Sequence, residues 1–154
     1  MMYVCEFEFY ESEGCVLAVP FGLEGGTFGD SLDDAIESAA DWLRETGLVK
    51  LQNEETLEST GFGHVPAHGG KVIAIAVDCD LSTIPSMSAS DAARVLGVST
   101  ARVAQMCKAG SLESWRIGAR RMVSTASVRE RQKEQPKAGR PSRKKLVAAG
   151  QAVV

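Results

Sequence analysis

The charge of this chain changes sign near its middle, and this change constrains its organisation more than any other feature. Residues 1–85 contain 16 Asp and Glu against 3 Lys and Arg, a net charge of −13, whereas residues 86–154 contain 4 against 14, a net charge of +10. Such opposite halves predict two modules with different partners. The basic half suits a polyanion, because each neutralised phosphate releases counterions. The acidic half suits a basic protein; alternatively, the two charge sets only solvate surfaces that attract each other.

The composition is that of an ordinary globular protein, with 154 residues, 44% of them hydrophobic and 24% charged, which is enough for two small domains. Apolar runs such as 72–77 are far shorter than the roughly 20 residues that cross a bilayer, and residues 1–10 lack the basic start of a signal peptide. We therefore expect a cytoplasmic protein that does not bind membranes. The four scattered cysteines form no C-x-x-C pair and are expected to be reduced, mostly buried thiols: Cys5, Cys15, Cys79 and Cys107.

Two short helices are predicted at the start of the basic half. The first lies at about 88–97, capped by Ser88 or Ser90 and ended by a glycine. The second lies at 100–109, capped by Ser99. The first helix is expected to pack through Ala92, Ala93 and Leu96; the second buries Val103, Met106 and Cys107 and turns outward Arg102, Gln105 and Lys108.

A hairpin and a last helix are predicted after these two. Segments 115–117 and 122–123 are strand-like and flank a tight turn at 118–121, which carries two arginines at or beside its tip. Ser124 or Thr125 then caps the last helix, whose clearest inward anchor is Val128. The predicted order is helix, helix, hairpin, helix.

This order, with the segments MSASDAARVLGVS at 87–99 and WRIGARR at 115–121, resembles the excisionase, MerR-like winged helix-turn-helix family. The resemblance implies a DNA-binding domain at 87–133, whose second helix enters the major groove while the hairpin contacts the backbone or minor groove. Arginine suits guanine and glutamine suits adenine, whereas Ala101 offers only a methyl group. The implied base-reading residues are Thr100, Arg102 and Gln105, and the further DNA contacts are Lys108, Arg116, Arg120 and Arg121.

Two other interpretations of the basic half remain. It could be a helical protein-binding domain with a solvated basic face, although the hairpin and the charge would then be coincidences. It could bind RNA, but Trp115 is its only aromatic residue, whereas single-stranded RNA is commonly held by stacked aromatic side chains.

The segment 134–154 mixes basic residues with Gln, Gly and Pro and has no apolar period, which predicts a disordered basic tail. Gly139-Arg140-Pro141 partly resembles an AT-hook, whose Arg-Pro core lies in the minor groove, and Arg140 is therefore a candidate DNA contact. The fuller motif has Arg where Ala138 stands. A nonspecific phosphate-binding tail is the favoured interpretation.

The acidic half predicts a small sheet with one helix on one face. Carboxylates alternate with aromatic or apolar residues in the first strand, which is typical of a strand with one buried face. Asp30 or Ser31 is expected to cap the helix, and its apolar stripe is predicted to consist of Leu32, Ala35, Ile36, Ala39, Ala40 and Leu43. The predicted elements are strands at 3–9, 15–19 and 25–29, a helix at 32–46 that ends at Gly47, and a strand at 71–77.

This order, with GCVLAVP at 14–20 and GDSLDDA at 29–35, resembles the HicB antitoxin fold, a truncated RNase H-like domain. The resemblance covers residues 2–80 and implies a partner-binding domain at 1–80, followed by a linker at 81–86. The resemblance further implies that this domain binds and blocks a small, basic, RNA-cleaving HicA-like toxin, while the C-terminal domain represses the shared operon. Where the family carries Asp-Leu-Pro-Gly-Cys, this chain has FGLEG at 21–25, so partner contacts there are expected to differ.

Catalysis and metal binding are disfavoured by the positions of the candidate residues. His64 and His68 lie in a Gly- and Pro-rich segment that predicts a loop and not a metal-binding helix. The carboxylates that could gather Mg²⁺ are more simply explained as helix caps, first-turn residues and strand-end residues: Asp30, Asp33, Asp34, Asp78 and Asp80.

The sequence therefore predicts an α+β chain that is not an enzyme and needs no cofactor or metal. We expect a DNA-binding transcription regulator, the antitoxin and autorepressor of a toxin–antitoxin pair, whose partners are operator DNA and a small basic toxin. A homodimer or higher oligomer is expected because paired half-sites multiply affinity. The alternative is a freestanding regulator or excision factor with a dimerising or ligand-sensing N-terminal domain.

Overall fold

The structure is a computed structural model that describes residues 1–134. It confirms the predicted α+β class, with a sheet-rich N-terminal region and a helical C-terminal region. Within the described residues two compact units form, one from Met1–Ser86 with Ser114–Met122, the other from Met87–Glu113 with residues 123–134. In the described part of the chain, no helix is long and apolar enough to cross a membrane. The predicted basic tail, apart from Glu134, lies outside the described residues.

The N-terminal region has the predicted order β-β-β-α-β. Its elements are β1 (Met2–Ser12), β2 (Cys15–Pro20), β3 (Thr27–Gly29), α1 (Leu32–Gln52) and β4 (Lys71–Asp78). The four strands form one antiparallel sheet in the order β3-β2-β1-β4. The long β1 is central, with Phe9 opposite Ala18 of β2 and Phe7 opposite Ile73 of β4.

Helix α1 covers one face of this sheet. Odd-numbered residues of β1 point to that face because side chains alternate along a strand. The ring of Phe7 meets Trp42 of α1 edge-on, with the ring centroids 5.9 Å apart. The core confirms the apolar stripe predicted for the helix, and its buried members include Tyr3, Cys5, Phe7 and Phe9 from β1, Ala35, Ala39 and Leu43 from α1, and Ile75 and Val77 from β4.

The prediction that the helix ends at Gly47 is wrong, because α1 continues to Gln52. Gly47 is buried in the helix where it crosses the sheet. A Cβ at this position would lie 2.5 Å from Cys79 Sγ and 3.0 Å from Tyr3 Cδ1. The glycine therefore permits close packing of the helix and does not terminate it. Ser31 caps the start, since its side chain accepts the Asp34 backbone N–H.

The C-terminal region contains the predicted helix, helix, hairpin, helix. Its elements are β5 (Ser86–Ser88), α2 (Ala89–Leu96), α3 (Thr100–Lys108), β6 (Ser114–Ile117), β7 (Arg120–Ser124) and α4 (Thr125–Glu134). β5, β7 and β6 form a second sheet in that order. The segment predicted as a linker, 81–86, holds a short 3-10 helix at Leu81–Thr83 and the first residue of β5, neither of which was predicted.

Candidate nucleic-acid interface

Two capped helices form the centre of the C-terminal region. The backbone N–H of Asp91 donates to Ser88 Oγ at 3.1 Å, and that of Arg102 donates to Ser99 Oγ, also at 3.1 Å. Each serine thus satisfies an N–H that has no partner within its helix. Gly97 ends α2 in the left-handed conformation, with a φ of 66°, which leaves two residues for the turn into α3.

The inward faces of these helices agree with the prediction. Ala92, Ala93 and Leu96 of α2 are buried, and they share one core with Val103 and Met106 of α3. The same core takes Leu112, Val123 and Val128. Because one side of α3 packs against this core, its other side faces solvent in a fixed orientation.

The exposed side of α3 carries the predicted polar residues. Thr100, Arg102, Gln105 and Lys108 are all exposed. Arg102 Nη1 donates to Gln105 Oε1 at 3.3 Å, so the structure brings these two side chains together one helical turn apart. The bond uses one of the two lone pairs of the Gln105 carbonyl oxygen, so this oxygen can accept a second hydrogen bond, and the Gln105 NH₂ and the other guanidinium N–H groups can donate.

The hairpin of β6 and β7 carries three more predicted residues. Gly118 has a φ of 61° and lies in the tight turn between the strands. Arg116, Arg120 and Arg121 are exposed, but both arginines after the turn belong to β7. Arg121 is not free, because its Nη1 donates to Ser114 Oγ at 2.9 Å across the hairpin.

Residues 86–136 match the family model described as a helix-turn-helix domain. This segment is a helix-turn-helix domain. It is of the excisionase-like kind that the sequence predicted, and it supports a DNA-binding regulator. The match covers about a third of the chain. Searches of curated proteins and of solved structures each found no match.

The predicted DNA contacts do not all lie in one compact unit. Helix α3 belongs to one unit, whereas the hairpin residues Ser114–Met122 belong to the unit of the N-terminal sheet. Arg140 lies outside the described residues. The assignment of base-reading and phosphate-binding roles to these side chains stays a prediction.

The N-terminal unit holds a pair of buried carboxylates whose role the sequence analysis missed. The alternation in β1 predicted one buried face, yet Glu6 and Glu8 on its other face are 8% and 2% exposed. They lie beneath the segment Gly61–Gly70, which we call the clamped loop. Glu6 accepts the backbone N–H groups of Gly63 and His64 at 3.0 and 2.9 Å.

Glu8 repeats this arrangement two residues further along β1. It accepts the backbone N–H groups of Ala67, His68 and Gly70 at 2.8 to 3.2 Å. Burial raises the pKa of the Glu8 carboxyl, but the backbone N–H groups and the His68 ring outweigh burial and lower this pKa to about 2. The backbone N–H groups of His64 and Gly63 likewise lower the pKa of Glu6.

Each histidine of the clamped loop joins one carboxylate to one aromatic ring. His64 Nδ1 lies 2.7 Å from Glu6 Oε2, and its ring stacks on Phe21 at 4.5 Å. His68 Nδ1 lies 3.2 Å from Glu8 Oε1, and its ring stacks on Tyr10 at 4.3 Å. The two histidines, four residues apart in the loop, thus pair with two carboxylates that are two residues apart on one face of β1, and no local pattern in the sequence indicates this pairing.

Residues 1–134 include all of the carboxylates, histidines and cysteines considered for metal binding or thiol chemistry. No group of three or more His, Cys, Asp or Glu in this range is placed to hold a metal ion. Asp80 caps the short 3-10 helix and Asp78 pairs with the terminal amine of Met1. The four cysteines are free, with Cys5 and Cys79 buried and Cys15 and Cys107 half-buried. Burial raises the pKa of the Cys5 and Cys79 thiols, which disfavours the reactive thiolate.

Proposed function

We propose that this chain is a transcription regulator that binds its own operator, and that it acts as the antitoxin of a HicA/HicB-like pair. In this proposal the protein is a non-catalytic repressor. Its helix-turn-helix domain binds duplex DNA, and its acidic N-terminal domain binds a small basic RNase toxin.

The observation that carries the DNA-binding part is the polar outer side of α3. Arg102 and Gln105, the residue types that pair bidentately with guanine and adenine, are exposed and lie within hydrogen-bonding distance of each other. Thr100 and Lys108 extend this surface along the helix. Arg116, Arg120 and Arg121 on the hairpin are assigned to phosphates or to a narrow minor groove.

The antitoxin part rests on charge and on element order. Residues 1–85 carry a net charge of −13, which favours and accelerates encounter with a basic protein. This region has the element order β-β-β-α-β, which resembles that of the HicB antitoxin fold. The carboxylates of Glu6 and Glu8 accept hydrogen bonds within the protein, so the other acidic side chains provide the attraction for a basic toxin.

The alternative is a freestanding regulator or excision factor whose N-terminal domain dimerises or senses a ligand. Within the described residues the outer edge of β4 pairs with no other strand, which favours dimerisation. A neighbouring gene for a small basic protein supports the antitoxin, whereas a neighbouring integrase gene supports the excision factor.

Binding of the purified full chain to a duplex from upstream of its own gene tests the proposal. A scrambled duplex and an RNA of the same sequence are the matched controls, and each titration is repeated at several salt concentrations. We expect tighter binding to the upstream duplex and a loss of affinity with added salt. Equal affinity for all three nucleic acids would reject the regulator, and failure to rescue cells that express the neighbouring basic protein would reject the antitoxin alone.

A further inference from the structure

Strand β4 is an open edge of the N-terminal sheet. Within the described residues it pairs only with β1. It is eight residues long, and its interior, Val72–Val77, contains no charged residue, proline or glycine. The opposite edge strand, β3, has only three residues. Proteins usually protect edges with short strands, charges, prolines or bulges, so a long unprotected edge indicates a strand-docking surface.

The direction of the free backbone groups follows from the last pair of the ladder. Met1 N donates to Cys79 O at 2.9 Å, and Cys79 N donates to Met1 O at 2.8 Å. In an antiparallel ladder such hydrogen-bonded pairs recur every second residue. The odd-numbered residues of β4 therefore turn their N–H and C=O groups toward β1. The residues that turn these groups outward are Val72, Ala74, Ala76 and Asp78.

We propose that a second copy of this chain pairs with β4 along this edge, antiparallel, and joins two four-stranded sheets into one. A two-fold axis perpendicular to the sheet places the α1 faces of both copies on one side of the joined sheet. Residues directly opposite each other then point to the same face, so even-numbered residues lie opposite even-numbered residues. An axis at Ile75 sets Val72 opposite Asp78 and Ala74 opposite Ala76. An axis at Ala74 would instead set Asp78 opposite Gly70, whose N–H is already donated to Glu8 Oε2.

The charges of β4 favour a second copy in this direction. The only charged residues of the strand are Lys71 at its start and Asp78 at its end. Antiparallel pairing places Lys71 of one copy at the same end of the paired strands as Asp78 of the other, on the opposite face of the sheet, whereas parallel pairing sets like charges side by side on the same face. Between the ends, the small exposed side chains of Ala74 and Ala76 leave room for a second strand.

The inward face of the joined strands is also complementary. With the axis at Ile75, Ile73 of each copy lies opposite Val77 of the other. Pairs of β-branched residues across strands stabilise a sheet. Ile73 is only half-buried in the single copy, so pairing covers apolar surface that the chain leaves exposed.

Association of the free protein through β4 requires neither a toxin nor an operator, so it is tested separately from the proposed function. A dimer would supply two helix-turn-helix domains to one DNA site, as paired half-sites need.

Sedimentation equilibrium of the full chain without DNA, combined with residue-resolved amide hydrogen exchange, tests the inference. We expect a mass of twice 16.4 kDa and slow exchange at Ala74 and Ala76, whose N–H groups would otherwise face solvent. Because the Ala74 N–H points outward, Ala74→Pro removes a hydrogen bond to the second copy without breaking the β1 ladder and should give a monomer. Ala74→Thr retains the N–H and is the matched control that should stay dimeric.

Three results would overturn the inference: a monomeric wild-type chain, a dimer with fast exchange at both alanines, or a dimer of folded Ala74→Pro. The exchange measurement on wild type decides the matter even if the proline variant does not fold. Added salt provides a further check, because it screens the repulsion between two acidic domains. Self-association should therefore strengthen with salt, whereas DNA binding weakens.

Discussion

The carboxylate of Glu8 lies directly beneath His68. Glu8 Oε2 accepts the backbone N–H of His68 at 2.8 Å, and Glu8 Oε1 lies 3.2 Å from Nδ1 of the same residue. Two acceptor oxygens thus hold the main chain and the ring of a single loop residue. Glu6 also holds both the main chain and the ring of His64, but through Oε2 alone, so the clamped loop is fixed at two points to the face of β1 opposite α1.

Glu8→Gln is expected to destabilise the protein. The neutral amide offers one oxygen and an NH₂ in place of two acceptor oxygens, so some of the three backbone N–H groups lose their partner. We expect the melting temperature to fall by about 5 °C or more, measured by circular dichroism. Glu11→Gln, on an exposed carboxylate of the same strand, is the control and should change it little. Equal effects of both substitutions would contradict a special role for Glu8.

The free energy of unfolding should fall in acid through the same groups. The pKa of Glu8 in the folded protein is lowered to about 2 from its ordinary value of 4.5. A carboxyl group whose pKa is lowered by folding adds to the free energy of unfolding. This contribution is complete above pH 4.5 and is lost as the pH falls toward 2. Denaturant titrations of wild type and Glu8→Gln between these limits should converge as the pH falls. A difference that stays constant with pH would show that the ionised carboxylate is not responsible.

Arg102→Ala combined with Gln105→Ala should weaken binding to the upstream duplex by about 30-fold or more, since each base contact contributes roughly 1–3 kcal/mol. Binding to a scrambled duplex should change much less. Fluorescence anisotropy with both duplexes measures the two affinities. Arg44→Ala removes one exposed positive charge from α1 and serves as the charge control. An unchanged preference for the upstream duplex would remove α3 from base recognition.

Arg120→Ala combined with Arg121→Ala should have a different signature. If these side chains bind phosphates, affinity falls for the upstream and scrambled duplexes alike, and the slope of log K against log salt becomes shallower by about 1 for each phosphate that is no longer neutralised. Salt titrations of wild type and the double variant measure this slope. A decrease confined to the upstream duplex would instead indicate that the hairpin reads sequence.

Gly47→Ala should lower stability although alanine is the better helix former. The added Cβ would lie 2.5 Å from Cys79 Sγ, and such overpacking typically costs about 1–3 kcal/mol. Denaturant unfolding measures the change. Combining Gly47→Ala with Cys79→Ala removes the opposing sulfur and should recover part of the loss, beyond what the two single effects predict. Additive single effects would place the cause elsewhere.

The sequence by itself determined the elements whose signals are local. Serine caps at Ser31, Ser88 and Ser99, the left-handed Gly97 and the 3.6-residue apolar periods of α1, α2 and α3 each depend on neighbours within a few residues. The resemblance to a helix-turn-helix family rests on the same short-range pattern, and the family match confirmed it. These features could be predicted because the residues that stabilise each of them lie within it or next to it in the sequence.

Only the tertiary structure decided features whose partners are distant in sequence. In the sequence Gly47 is typical of a helix end, but in the structure Tyr3 and Cys79 pack against it. The carboxylates of Glu6 and Glu8 looked solvated, but backbone N–H groups about 60 residues away cover them. Burial of a charge depends on which loop folds over it, and a local pattern contains no information about that loop. The open edge of β4 likewise became visible only when the strand order placed β4 outermost.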